Sequence, residues 1–134
     1  LMVIENFGAG KVPDKGWTTS TQTGAGLRQR PRQSVVMSLH DRDPTTRRAR
    51  LHGPASQHAR AGLRVRGAFS STWSPQPYAL DFWDEDNREQ AVAPLGMPRG
   101  EDWVLYHPHP SYDTTMIFNS FIWELSRRTG RYAG

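Results

Sequence analysis

The sequence contains no cysteine. This absence excludes a disulfide scaffold, a zinc site built on thiolates and a cysteine nucleophile. No apolar run approaches the roughly 18 residues that a membrane-spanning helix needs, so we expect no membrane span. Lysine is also scarce. Of the 17 basic residues, only Lys11 and Lys15 are lysines, and the others are arginines.

The chain has 134 residues, which is the size of one domain. Its hydrophobic fraction of 36% is low, but five Trp, four Tyr and five Phe bring enough apolar surface for a folded core. Leu1 is not an initiator methionine, and no charged and apolar leader follows it. We therefore expect the chain to be cut from a longer protein.

Positive charge is concentrated in the first half of the chain. Residues 1–66 hold 12 Lys and Arg against 4 Asp and Glu, whereas residues 67–134 hold 5 against 9. A basic surface of this kind attracts nucleic acid, but no Phe, Trp or Tyr lies between Arg28 and Arg66 to stack on bases. Charge alone gives only non-specific attraction, so we do not expect a nucleic-acid partner.

Alternating side chains predict several strands. The clearest is residues 61–69, where Leu63, Val65 and Phe69 face one way and Arg64 and Arg66 face the other. The complete set of predicted strands is residues 2–4, 33–40, 47–52 (a short edge strand), 61–69, 78–83 and 103–106. Residues 8–32 and 53–60 are predicted to be loops.

One helix is predicted over residues 114–129, with Asp113 or Thr114 as its N-cap and Gly130 after its end. Its apolar positions recur at the helical period. They are Ile117, Phe118, Phe121, Ile122 and Leu125. The predicted fold class is therefore α+β, a mostly antiparallel sheet with one long amphipathic helix laid on a face.

Three kinds of motif suggest chemistry but lack the features that it needs. Residues 8–11 and 24–26 are glycine-rich, but neither has the P-loop spacing followed by a helix. His107 and His109 lack a third metal ligand, so an exposed proline-rich loop is the favoured interpretation. The carboxylates within residues 81–89 are interpreted as a solvated turn rather than an acid–base or magnesium site.

Residues 62–71, Gly-Leu-Arg-Val-Arg-Gly-Ala-Phe-Ser-Ser, resemble the strand-and-loop signature of the CotH kinase family, the spore-coat-type atypical protein kinases. That family has Gly-(Ile/Val)-x-(Ile/Val)-Arg-Gly-Asn-Ser-Ser, then one or two lysines, then an aromatic strand. Further matches follow in the family's order at residues 77–80, 95–98, 102–106, 119 and 124–127. The resemblance is close over residues 61–133 and loose over residues 1–60, and it predicts a single partial domain over residues 1–134.

The resemblance implies the N-terminal, nucleotide-covering part of a kinase that phosphorylates protein Ser or Thr with ATP and Mg²⁺, on a kinase N-lobe-like fragment. It implies that Arg66, Gly67, Ser70 and Ser71 form the loop near the phosphates, and that Glu124 orients a phosphate-binding lysine. The structural alternative is a surface arginine, a serine turn and a solvent-facing glutamate. The implied partners are a protein substrate and the remaining C-terminal lobe of the same polypeptide.

Two departures from the family pattern affect this expectation. Gln76 stands where the family has lysine, and Ala68 replaces the common asparagine. The family's metal-binding and catalytic acids would follow Gly134, so we assign no catalytic residue and no metal ligand within this chain. We expect no phosphoryl transfer from this chain alone, because transfer needs metals and a base as well as a cation on the phosphates.

A second class of function remains open, a non-catalytic binding module with a degenerate kinase-like fold. Gln76 favours this module, whereas the retained Arg66-Gly67 and Ser70-Ser71 favour the kinase. The resemblance also implies a spore-coat, cell-surface or secreted protein. If further strands follow, we expect an exposed sheet edge or apolar face.

Overall fold

The computed structural model describes residues 1–14, 31–67 and 69–131. Five strands form one sheet in chain order, and every neighbouring pair is antiparallel. These residues also contain one α-helix, which follows the last strand. The elements are β1 (Met2–Glu5), β2 (Gln33–Leu39), β3 (Gln57–Val65), β4 (Tyr78–Trp83), β5 (Asp102–Leu105) and α1 (Phe118–Arg128). The predicted α+β class and the mostly antiparallel sheet are confirmed.

One face of the sheet carries the hydrophobic core. In the β3–β4 register Ala61 lies opposite Phe82 and Leu63 opposite Leu80, and all four side chains are buried. The alternation predicted for β3 is therefore confirmed as far as Val65. The buried cluster comprises Val35, Met37, Leu39, Ala61, Leu63, Leu80 and Phe82.

The opposite face of the sheet is polar and tightly covered at Gly62. A Cβ atom at this position would lie 2.2 Å from Cζ2 of Trp83 and 2.8 Å from Cδ of Arg32. Gly62 is paired with Asp81 in the β3–β4 register. A side chain on residue 62 would thus displace the groups that lie over this part of the face.

The edge strand predicted over residues 47–52 is wrong, because this segment forms turns and irregular structure. Asp43 explains the difference, since its Oδ1 accepts hydrogen bonds from the amides of Thr45 (2.9 Å) and Thr46 (2.7 Å). Arg47 then takes a positive φ of 58°, which is incompatible with a strand.

β3 also has different limits from the predicted ones. It begins at Gln57, inside the segment predicted as a loop, because residues 57–60 pair with β2. It ends at Val65, and Phe69–Thr72 form one turn of 3₁₀-helix. Phe69 therefore does not continue the buried face of β3, and its side chain is exposed.

Helix α1 begins at Phe118, four residues later than predicted. Met116 has a positive φ of 57°, which interrupts any helix that starts at residue 114. The predicted capping residue Asp113 nevertheless binds the helix start, because its Oδ2 accepts a hydrogen bond of 2.8 Å from the amide of Phe118. Asp113 thus caps the helix from five residues before Phe118, across an intervening turn.

The apolar stripe of α1 is exposed to solvent, so the prediction that the helix lies on a face of the sheet is wrong. Its side chains are 49–61% exposed, namely Ile117, Phe118, Phe121, Ile122 and Leu125. Other partly buried side chains already pack against the core, including Val12, Tyr78 and Trp103. The core is therefore covered in part by these side chains rather than by the stripe of α1. Across the described part of the chain, no helix is both long and apolar enough to cross a membrane.

Candidate functional site

A concavity of about 390 Å³ lies on the polar face of the sheet. The register explains its position, because Arg64 pairs with Ala79 and Asp81 pairs with Asp102, so that all four lie side by side across β3, β4 and β5. Its walls carry three guanidinium groups and three carboxyl groups. They are Arg32, Arg64, Arg66, Asp81, Glu89 and Asp102, with Ala79, Trp103 and Val104 completing the lining.

Asp81 lies at the base of this concavity and is only 1% exposed. Its Oδ2 accepts a hydrogen bond from Nε of Arg32, which forms an ion pair with it. Burial nevertheless raises the pKa of Asp81, a hydrogen bond with the carboxyl of Asp102 raises it further, and Arg32 only partly opposes the increase. The interpretation of Asp81 as part of a solvated turn is wrong, whereas Asp84 does lie in the predicted turn.

Arg66 provides an exposed cation at the mouth of the concavity. Its backbone is fixed, because its amide donates to the carbonyl of Pro77 at 2.9 Å. Its side chain is exposed, and no ion pair recorded among the described residues includes it. Arg66 is therefore placed to receive an anion without first breaking an ion pair within the described chain.

The loop after Arg66 turns sharply at Gly67, which has a φ of +99°. A Cβ atom there would lie 1.9 Å from Oγ of Ser70 and 3.3 Å from the amide nitrogen of Ser71. Glycine is thus required by both conformation and space. Ser71 is buried, and its carbonyl accepts a 2.7 Å hydrogen bond from Nε2 of Gln76, so that Gln76 fixes the far end of the loop.

The structure brings four of the five sequence-predicted site residues together in this loop: Arg66, Gly67, Ser70 and Ser71. Only Arg66 lines the concavity. Glu124 lies on α1 and bonds to Arg128 and Arg127 of the same helix. The hydrogen bond from Arg128, with a further one from Arg127, lowers the pKa of Glu124.

Three groups that line the concavity were not predicted as site residues: Arg32, Asp102 and Trp103. Arg32 lies directly before β2, as predicted, but its position along the chain gave no sign that it pairs with Asp81. Asp102 precedes the strand predicted at residue 103, and pairing with β4 extends β5 to include it. Strand register is the missing signal, because alternation assigns a face but does not identify the neighbour across the sheet.

Aromatic rings connect the loop to the histidine-proline segment. The Trp73 ring lies 4.7 Å from the ring of His109 and 5.7 Å from that of Tyr112, measured between centroids. His109 is thus engaged in ring packing and is half-buried, so the predicted exposure of this histidine is wrong. Within residues 1–14, 31–67 and 69–131 no group of three His, Asp or Glu side chains is arranged to hold a metal ion.

Comparison of the chain with known proteins identifies no relative. The chain matches no protein-family model, no curated protein and no solved structure.

Proposed function

We propose that this chain is the N-terminal, nucleotide-covering part of a CotH-like protein kinase that transfers phosphate from ATP to protein Ser or Thr. The observation that carries the proposal is the Arg66–Ser71 loop. Its exposed guanidinium borders a concavity, and its turn at Gly67 leaves no room for a side chain beside Ser70. A turn without a side chain allows a phosphate to approach the backbone closely, and arginine binds phosphate oxygens with paired hydrogen bonds.

The residues present suit the phosphates of ATP. The concavity falls within the usual range of ~300–1,000 Å³ for small-molecule pockets. The carboxylate of Asp81 is engaged by Arg32 and by Asp102, which reduces its repulsion of an incoming anion. Arg66 provides the exposed positive charge at the edge where the triphosphate would lie.

The residues present do not suit the Mg²⁺ that the resemblance implies. The described residues hold no group of three metal-ligating side chains, and Asp81 is ion-paired with an arginine. We therefore derive no catalytic step through a metal in this chain. The remaining part of the kinase would have to supply the metal ligands and the catalytic base, and a protein bearing Ser or Thr would be the substrate. Glu124 bonds within α1, so the proposal gives it no role in orienting a lysine.

A non-catalytic binding module is the second candidate, and Gln76 favours it. A lysine at this position could contact phosphate, whereas Gln76 donates its hydrogen bond to the carbonyl of Ser71 and so stabilises the loop. Such a module would retain the fold but would not bind ATP. The two candidates differ in one measurable property, namely whether this chain binds ATP.

Equilibrium binding of a fluorescent ATP analogue to the purified chain tests the proposal. We expect saturable binding that Arg66→Gln weakens about 10-fold, which corresponds to about 1.4 kcal/mol. Arg131→Gln is the matched control, since Arg131 is exposed and lies outside the concavity. No binding, or equal loss in both variants, would favour the binding module over the kinase. A non-specific arginine surface would instead lose affinity steeply with salt in every variant.

A further inference from the structure

A second pocket, of about 250 Å³, lies at the opposite end of the β2–β3 hairpin from Arg66. At ~3.4 Å per residue, the seven-residue strand β2 separates the two sites by about 20 Å. The pocket collects one imidazole, three guanidinium groups and two carboxylates. It is lined by His40, Asp41, Arg42, Asp43, Arg48, Arg50, Gly53 and Pro54.

The turn at Asp43 builds this pocket. The Asp43 carboxylate is engaged by the amides of Thr45 and Thr46, and the Asp43 amide donates to the carbonyl of Arg48 at 2.9 Å. The chain therefore folds back, so that Arg48 and Arg50 line the same pocket as Arg42. This turn replaces the edge strand that the sequence predicted.

The three arginines of the pocket are exposed, and no ion pair recorded for the described chain includes any of them. Asp41 also lines the pocket and reduces its charge, but three guanidinium groups still outnumber two carboxylates. Guanidinium groups that line one pocket in excess of its carboxylates, and that form no ion pair, favour a compact anion with several acceptor oxygens.

His40 gives a second, independent reason to expect a ligand here. It is only 8% exposed, and its Nδ1 has no hydrogen-bond partner in the described structure. Its position is fixed, because its amide donates to the carbonyl of Leu1 and its carbonyl accepts from the amino group of Leu1, both at 2.8 Å. A buried polar atom without a partner is rare in folded proteins, and a ligand oxygen would satisfy it.

We propose that this pocket binds the phosphate group of a phosphomonoester, with Arg42, Arg48 and Arg50 on its oxygens and His40 beneath it. The pocket is smaller than the ~300 Å³ at which small-molecule sites begin, so it fits a phosphate group rather than a whole nucleotide. No aromatic side chain lines it to stack on a base, which disfavours nucleic acid. The inference does not rest on the ATP proposal.

Isothermal titration of the full chain at constant ionic strength tests the site. The probes are inorganic phosphate, a phosphoserine peptide, its unphosphorylated form and a DNA oligonucleotide without terminal phosphate. We expect binding of phosphate, of the phosphopeptide or of both, and which of them binds more tightly identifies the source. No binding of either, equal binding of the two peptides, or tighter binding of the oligonucleotide would overturn the proposal.

Substitutions in the turn make the test specific. Arg48→Gln/Arg50→Gln should weaken phosphate binding at least 10-fold and leave ATP binding at the Arg66 concavity unchanged. The matched control is Arg47→Gln, which removes a neighbouring charge that does not line the pocket and should weaken binding less than about twofold. Equal losses in the two variants would mean diffuse charge attraction and would overturn the site.

His40→Leu separates a ligand role from a structural one. Replacing a buried, unpartnered imidazole with an apolar side chain should leave the melting temperature equal or higher, since no hydrogen bond of the ring is lost. It should also weaken phosphate binding several-fold. A fall in melting temperature with phosphate affinity retained would show that His40 is structural and would remove it from the site.

Discussion

Arg32 and Asp81 are 49 residues apart in the sequence, and the guanidinium of Arg32 forms an ion pair with the buried carboxyl group of Asp81. This pair joins the segment before β2 to the middle of β4 across the polar face of the sheet. It also forms one wall of the concavity beside Arg66. The stability of the fold and the shape of the proposed nucleotide site thus depend on the same contact.

Removal of Arg32 should destabilise the fold, because it leaves the Asp81 carboxyl buried without its cation. We expect Arg32→Gln to lower the free energy of unfolding by about 3 kcal/mol, measured by urea denaturation near pH 7. Arg88→Gln is the control, since its ion pair with Asp86 is largely exposed and should contribute less than about 0.5 kcal/mol. Similar losses in the two variants would contradict the burial of the Arg32–Asp81 pair.

The raised pKa of Asp81 predicts a pH dependence with a definite sign. Between the ordinary aspartate pKa of about 3.9 and the higher folded value, the folded state binds more protons than the unfolded state. The stability that Asp81 contributes is therefore present at low pH and is lost as the pH rises through the folded pKa.

Comparison with Asp81→Asn isolates this effect. The unfolding free energy of the natural chain minus that of the variant should decrease as the pH rises from about 4. Glu124, whose pKa is lowered, acts in the opposite direction, but it is common to both proteins and cancels. A difference that moves in favour of the natural chain with rising pH would show that Arg32 outweighs burial.

Gly67→Ala should disrupt the proposed phosphate loop. The new Cβ atom would meet Oγ of Ser70 at 1.9 Å, and the residue would keep a φ near +99°. We expect a loss of more than about 2 kcal/mol of stability and weaker ATP binding. Gly96→Ala is matched for positive φ but has open space around it, so it should cost only about 1 kcal/mol. Equal losses would mean that the Ser70 contact does not constrain the loop.

The exposed stripe of α1 should add little to the stability of this chain. Phe121→Gln/Ile122→Gln changes side chains that are 61% and 56% exposed, and we expect it to alter the unfolding free energy by less than about 0.5 kcal/mol. The same variant should reduce any self-association seen by sedimentation, because it removes exposed apolar surface. Leu80→Ala in the core should cost about 2–5 kcal/mol by comparison.

A destabilisation of the α1 variant close to that of Leu80→Ala would contradict the exposure of the stripe. It would mean that Phe121 and Ile122 pack on the sheet, as the sequence periodicity alone predicted. The two variants therefore separate the observed position of the helix from the predicted one.

Local patterns predicted the elements of this fold better than their packing. The alternation of Leu63 and Val65 with Arg64 identified β3 and the face that it buries. The prediction of an edge strand at residues 47–52 failed because the side chain of Asp43 accepts hydrogen bonds from two amides and stabilises a turn. Position along the chain likewise could not show that Asp81 is buried, since its environment is set by Arg32 and Asp102 on other elements.

The candidate site was predictable only where it is continuous in sequence. Arg66, Gly67, Ser70 and Ser71 lie in one loop, so a motif could identify them together. The ion pair of Arg32 with Asp81 and the position of Trp103 depend on strand register, which a period of two does not specify. The helical periodicity of α1 correctly predicted an apolar stripe but contained no information on what the stripe contacts.

The most direct test of the central claim is an NMR titration of the ¹⁵N-labelled chain with ATP. The account predicts that the largest amide shifts fall on Arg66, Gly67, Ser70 and Ser71, with Asp81 and Asp102 next, and that Arg66→Gln requires about 10-fold more ATP to produce them. Shifts confined to residues 40–54 or to α1, or no shifts at all, would contradict the account.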